Sequence, residues 1–120
     1  MSPQVLYDLP PFDDGEYEGY SLEMTDGDAR LRVRACGTPD VILEFRKVRW
    51  QQFVSTYSCS QAMASEAYFR LVAYPESPSL ADFIASDRSR YSSQLKLGHF
   101  RVFIPDAGCH EFYAQSARAI

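Results

Sequence analysis

The chain has 120 residues, 46% of them hydrophobic and 23% charged, with a formal net charge of −4. That composition fits one globular domain over residues 1–120 and argues against a disordered tail protein. The acidic balance argues against a nucleic-acid binder that works through a general basic surface, and no apolar run approaches the roughly 20 residues that cross a bilayer. The first ten residues lack the basic and apolar regions of a signal peptide, so the expected location is the cytoplasm.

Residues 1–16 carry Pro3, Pro10, Pro11 and Gly15 and read as an irregular acidic lead-in. Residues 17–25 are rich in aromatic and mixed side chains and read as a strand. Asp26-Gly27-Asp28 is a turn signal. In residues 29–35, Leu31, Val33 and Ala35 alternate with Arg30, Arg32 and Arg34, the period of a half-buried strand. The two strands are expected to form a hairpin.

Residues 41–50 are the next expected strand, with imperfect alternation that allows a bulge. Residues 53–60 are ambiguous. Residues 60–66 suit a short helical turn capped by Ser60. A fourth strand is expected over 68–74. Residues 79–90 make the best helix, with Leu80, Phe83 and Ile84 at helical spacing and Ser77 or Ser79 as its cap. Residues 97–104 form a fifth strand, with His99, Arg101 and Phe103 on one face and Phe100, Val102 and Ile104 on the other. Pro105-Asp106-Ala107-Gly108 is a second hairpin turn, and 109–116 a sixth strand. The predicted class is α+β: a mainly antiparallel sheet of about six strands with one main helix and a short helical turn.

Charge is uneven along the chain. Residues 1–28 hold eight carboxylates and no Lys or Arg, giving −8, and the other 92 residues carry +4. Such a segment either solvates itself and pairs with the strand of Arg30, Arg32 and Arg34, or docks on a basic partner. Leu6, Tyr7, Leu9, Phe12, Tyr17 and Tyr20 lie among these acids, and apolar anchors beside steering charges are the usual make-up of an interface. The candidate partner-binding residues are Asp13, Asp14, Glu16, Glu18, Tyr20, Asp26 and Asp28.

Catalytic parts are sparse. Cys36, Cys59 and Cys109 are an odd, widely spaced set that suits free thiols better than a disulfide framework. Cys109 and His110 are neighbours on an expected strand and point to opposite faces, so they do not grip one ion, and no metal is expected. Cys59 or Cys109 could pair with His99 only if the fold brought them together. The acid pairs Asp13-Asp14 and Asp26-Gly27-Asp28 sit where aspartate is favoured for turn chemistry. The arginine strand suits a solvated face better than a phosphate ladder. Trp50 is expected to be buried at a sheet edge. No catalytic residue and no cofactor is expected.

One further pattern runs through Val48-Arg49-Trp50, Phe53, Tyr57-Ser58-Cys59, Ala67-Tyr68, Leu71-Val72, His99-Phe100-Arg101-Val102-Phe103 and Asp106-Ala107-Gly108-Cys109-His110-Glu111. In this order these segments resemble a group of small bacterial immunity proteins of secreted polymorphic toxins. The resemblance covers roughly residues 41–117 and leaves out the acidic start. It departs at Gln51, where the group has histidine. It implies a non-enzymatic protein that binds and neutralises a cognate protein toxin, of a kind of which many act on nucleic acids or nucleotides, with no direct contact to nucleic acid or membrane. A small regulatory or structural protein-binding module is the alternative, and a small-molecule-binding domain stands behind it.

Overall fold

The computed structural model describes residues 2–87 and 96–120. Strand β1 (Gln4–Asp8) is followed by a 3-10 turn (Asp14–Glu16), β2 (Tyr17–Thr25), β3 (Asp28–Ala35), β4 (Val41–Arg46) and β5 (Trp50–Ser55). A second 3-10 turn (Thr56–Ser58), helix α1 (Gln61–Glu66), β6 (Arg70–Ala73), α2 (Pro78–Ser86), β7 (Gly98–Ile104), β8 (Gly108–Ala114) and β9 (Ser116–Ala119) complete it. All named strands pair antiparallel, in two sheets of order β1-β6-β7-β8-β5 and β2-β3-β4-β9. The α+β, mainly antiparallel architecture is the one expected, built from nine strands among the described residues. The last three residues of the expected helix, 88–90, lie outside the described residues.

Two of the expected strands, 41–50 and 109–116, each end in a crossing to the other sheet, where a further strand begins. Residues 41–50 leave the four-stranded sheet after Arg46, because Lys47 takes a left-handed φ of 51°. That corner is held by backbone groups: Lys47 N–H donates to the Asp28 carboxylate (3.0 Å), Val48 N–H to the Gly27 carbonyl (2.7 Å) and Arg49 N–H to the Tyr113 carbonyl (2.8 Å). The chain then enters the five-stranded sheet at Trp50. Residues 108–119 make the reverse crossing at Gln115, whose N–H donates to the Arg46 carbonyl (2.8 Å). The two crossings lie side by side and stitch the sheets together. The N-terminal stretch expected to be irregular also pairs: β1 lies on the edge of the five-stranded sheet along β6. Pro10 and Pro11 then end it, since proline cannot supply a ladder donor.

The core lies between the sheets. Leu31, Leu43 and Phe45 from one sheet meet Leu71, Val102, Ile104 and Phe112 from the other, all at 1% exposure or less. Phe45 stacks on Phe112 with ring centres 3.8 Å apart. Both helices pack on the outer face of the five-stranded sheet. α1 brings Met63 and Ala64 onto Val72, Phe103 and Cys109, and α2 sets Phe83 on Tyr113 (5.1 Å). Each helix begins as its sequence predicts: Ser60 Oγ accepts from Met63 N–H (3.2 Å) and Ser77 Oγ from Leu80 N–H (3.1 Å). Trp50 is half-buried rather than buried, stacked on Tyr113 at the edge strand β5.

Candidate functional site

The residues expected to bind a partner lie on β2, an edge strand of the four-stranded sheet, and at its two ends. Nine residues of strand span about 30 Å, so they form two groups instead of one site. Asp13, Asp14 and Glu16 sit at the start, where Glu16 accepts a hydrogen bond from Asp13 N–H (2.9 Å). Asp26 and Asp28 sit at the far tip, in a two-residue turn whose central Asp26 and Gly27 both have positive φ, 52° and 85°. Glu18 is exposed between them. Tyr20 turns inward, its ring 4.7 Å from His110 and 5.6 Å from Phe53, so its chief role is packing.

The arginines of β3 face outward. Arg30 reaches Glu44 (3.4 Å), Arg118 of β9 reaches the same carboxylate (3.0 Å), and Arg32 pairs with Asp40 (2.9 Å). Glu23, Arg30, Glu44 and Arg118 stand opposite one another across the four strands, a row of alternating charge. The arginine ends stay exposed while Glu44 between them is buried, and Arg30 and Arg32 are engaged by the protein's own acids.

At the start of β2 a groove of about 400 Å³ opens between the first 3-10 turn, the end of β5 and the β7–β8 turn. Asp14, Tyr57, Pro105 and Asp106 are among its lining residues. Partial loss of water, the charge of Asp14 and a hydrogen bond with Asp14 hold the Asp106 carboxyl above its usual value. Tyr57 is 100% exposed. Its loop is nonetheless fixed, because Thr56 donates its hydroxyl to the Pro105 carbonyl (2.7 Å) and its N–H to the Ala107 carbonyl (3.2 Å). Asp106 and Tyr57 were not among the expected binding residues. Asp106 reads in sequence as a turn aspartate and Tyr57 lies in the ambiguous stretch.

The other polar centre lies under the helices. His99 and Arg101 of β7 and Glu111 of β8 share the outer face of the five-stranded sheet, and Arg101 and Glu111 are direct cross-strand partners. All three are buried, at 1%, 7% and 7% exposure. Glu111 Oε2 accepts from His99 Nε2 and from Arg101 Nη2 (3.0 Å). Arg101 Nη1 donates to the Tyr74 hydroxyl (2.8 Å), which donates to Glu66 (2.7 Å). Burial pushes the Glu111 carboxyl up, but His99 and Arg101 outweigh it and hold it below its ordinary value. Ser77 Oγ lies 2.7 Å from His99 Nδ1. With both ring nitrogens occupied, His99 forms no dyad with Cys59 or Cys109. The Cys109 thiol is pushed up to about 12 by burial, and Cys59 donates to the Val54 and Ser55 carbonyls (3.3 Å each).

His110 faces the opposite way, into the space between the sheets. It is 1% exposed, lies between Tyr20 and Phe53, and neither ring nitrogen has a hydrogen-bond partner. Desolvation lowers its pKa from 6.5 to about 4. The unfolded chain therefore binds this proton more readily, so stability falls as pH drops from about 6.5 towards 4. The expected loss is about 3 kcal/mol by linkage. Urea melts at pH 7, 5.5 and 4 check this, with His110→Phe expected to flatten the dependence between pH 6.5 and 4.5. An equally steep slope in that variant would assign the acid sensitivity elsewhere.

No described helix is long and apolar enough to cross a membrane. Comparison with known protein families, with characterised proteins and with solved structures found no match to this chain.

Proposed function

We propose that this chain is a binding protein that neutralises a protein toxin, docking through the groove between Asp14, Tyr57 and Asp106. The observation that carries the reading is a fully exposed aromatic ring on a fixed loop beside a pair of carboxyls. A tyrosine offers a large apolar area for little ordering cost, and such anchors dominate interface energies. Asp13 and Glu16, in the same turn as Asp14, add further negative charge, which speeds encounter with a basic surface. The resemblance of residues 41–117 to toxin-immunity proteins includes both Tyr57 and Asp106, which now lie in one groove. A toxin that handles nucleic acids or nucleotides presents a basic cleft, and an acidic groove complements it. A regulatory module that binds a basic protein would use the same surface, and the toxicity of the partner separates the two.

The test is capture of the partner from the cells that carry the gene, followed by kinetics on the purified pair. Changing Asp13, Asp14 and Glu16 to lysine is expected to slow association about tenfold or more at low salt and to flatten its salt dependence, while the melting temperature stays near that of the parent. Tyr57→Ala is expected to act on dissociation, weakening the complex by about 2 kcal/mol. Unchanged rates in both variants would remove this groove from the interface.

A further inference from the structure

The contacts of Ser77 go beyond those of a helix cap. Its Oγ accepts from Leu80 N–H (3.1 Å) and also lies 2.7 Å from His99 Nδ1. His99 Nε2 is bound to Glu111, and Glu111 is further held by Arg101. An ionised carboxylate can only accept, so Nε2 carries the imidazole proton. In the neutral imidazole Nδ1 then presents a lone pair, to which the Ser77 hydroxyl is the donor. The order is hydroxyl, neutral imidazole, buried carboxylate: a nucleophile, a base and the group that fixes the base's tautomer. Ser77 is only part-buried, while His99 and Glu111 behind it are closed off from water. The neighbouring serines of α2 lack this setting. Ser86 donates to the carbonyls of Asp82 and Phe83, and Ser79 is exposed, with Ser77 Oγ 3.2 Å from its hydroxyl.

We propose that Ser77 is an acyl-accepting nucleophile, activated by His99 and Glu111, that takes small activated esters. The Ser77 oxygen bonds to the ester carbonyl carbon as its proton passes to His99 Nδ1. The tetrahedral adduct collapses by breaking the bond to the leaving alcohol or phenol, which takes that proton. Water then cleaves the acyl-serine by the same path and restores the hydroxyl. Ser77 also stands at the amino end of a nine-residue helix, whose first-turn N–H groups lack intrahelical acceptors and favour negative charge developing beside them. Pro78 supplies no such group, so Ser79 N–H is the nearest in sequence. This site lies at the other end of β7 from the Asp106 groove, so it is independent of the docking reading.

The test uses the full chain and a fluorophosphonate probe, which phosphonylates activated serines with loss of fluoride. Peptide mapping by mass spectrometry is expected to place one adduct on Ser77 and none on Ser79. The groups facing His99 from the packed elements are Glu111, Arg101, Tyr74, Tyr113 and, through Tyr74, Glu66 of α1. His99→Gln is expected to slow labelling roughly 100-fold or more. Because that variant alters a buried network, the parent protein decides the matter. A folded parent that gives no Ser77 adduct at pH 8, or that labels Ser77 and Ser79 alike, overturns the proposal and leaves Ser77 a helix cap.

Discussion

Glu111→Ala is expected to cost about 3–5 kcal/mol of stability, read as a fall in the urea midpoint at pH 7. The reason is what it leaves behind. Arg101 is 7% exposed and cannot lose its charge, so without Glu111 a guanidinium stays buried beside Tyr74 and the part-exposed Glu66. His99 also loses the acceptor that orients it. Glu111→Gln should cost less, because an amide oxygen still accepts a hydrogen bond from either neighbour. Replacing the pair, Arg101→Met with Glu111→Leu, should recover part of the loss, since no charge is then stranded. A single Glu111→Ala variant that melts like the parent would mean that water reaches this cluster.

Gly108→Ala is expected to cost about 3 kcal/mol or more, measured in the same way. A Cβ at this position would meet the Val54 carbonyl oxygen at 2.1 Å and Ser55 Cα at 2.9 Å. Those atoms belong to β5, which is held against β8 by its ladder, so neither can move aside without breaking strand pairing. The φ of +147° adds strain for any residue with a side chain. Gly27→Ala is the control. It also has positive φ, +85°, but its Cβ would meet nothing within 4 Å, so only the conformational cost of about 1 kcal/mol applies. Equal losses at the two sites would show that crowding at Gly108 is relieved by a local shift.

Features with a local cause could be read from the sequence. Ser60 and Ser77 cap helices because their hydroxyls satisfy first-turn N–H groups, whatever the rest of the chain does. Asp26-Gly27 makes its hairpin because those residues tolerate positive φ. The alternation in 97–104 correctly placed His99 and Arg101 on one face and Phe100 and Val102 on the other. The crossings at Lys47 and Gln115 left no such mark. Lys47 is not a residue that announces a left-handed turn, and what holds it there is Asp28, nineteen residues away. β1 was hidden for another reason. It is a five-residue edge strand with mostly exposed side chains, so burial never imposes a period of two.

The site follows the same division. The acidity of residues 13–16 was legible, but the groove also needs Tyr57 and Asp106, which the fold brings from two other loops. Tyr20, an aromatic among acids, has the look of an anchor, and in the fold it is half-buried with its ring against His110 and Phe53. The Ser77–His99 contact spans 22 residues and joins a helix cap to a strand, and no spacing rule connects them.

Neutralisation through the Asp14–Tyr57–Asp106 groove can be read out as rescue of growth. Host cells would express the captured partner alone, with the parent chain, or with the chain carrying Asp14→Lys, Tyr57→Ala and Asp106→Lys. Growth is expected to arrest with the partner alone, to recover with the parent, and to arrest again with the folded triple variant. A partner that is harmless on its own, or equal rescue by parent and variant, would contradict it.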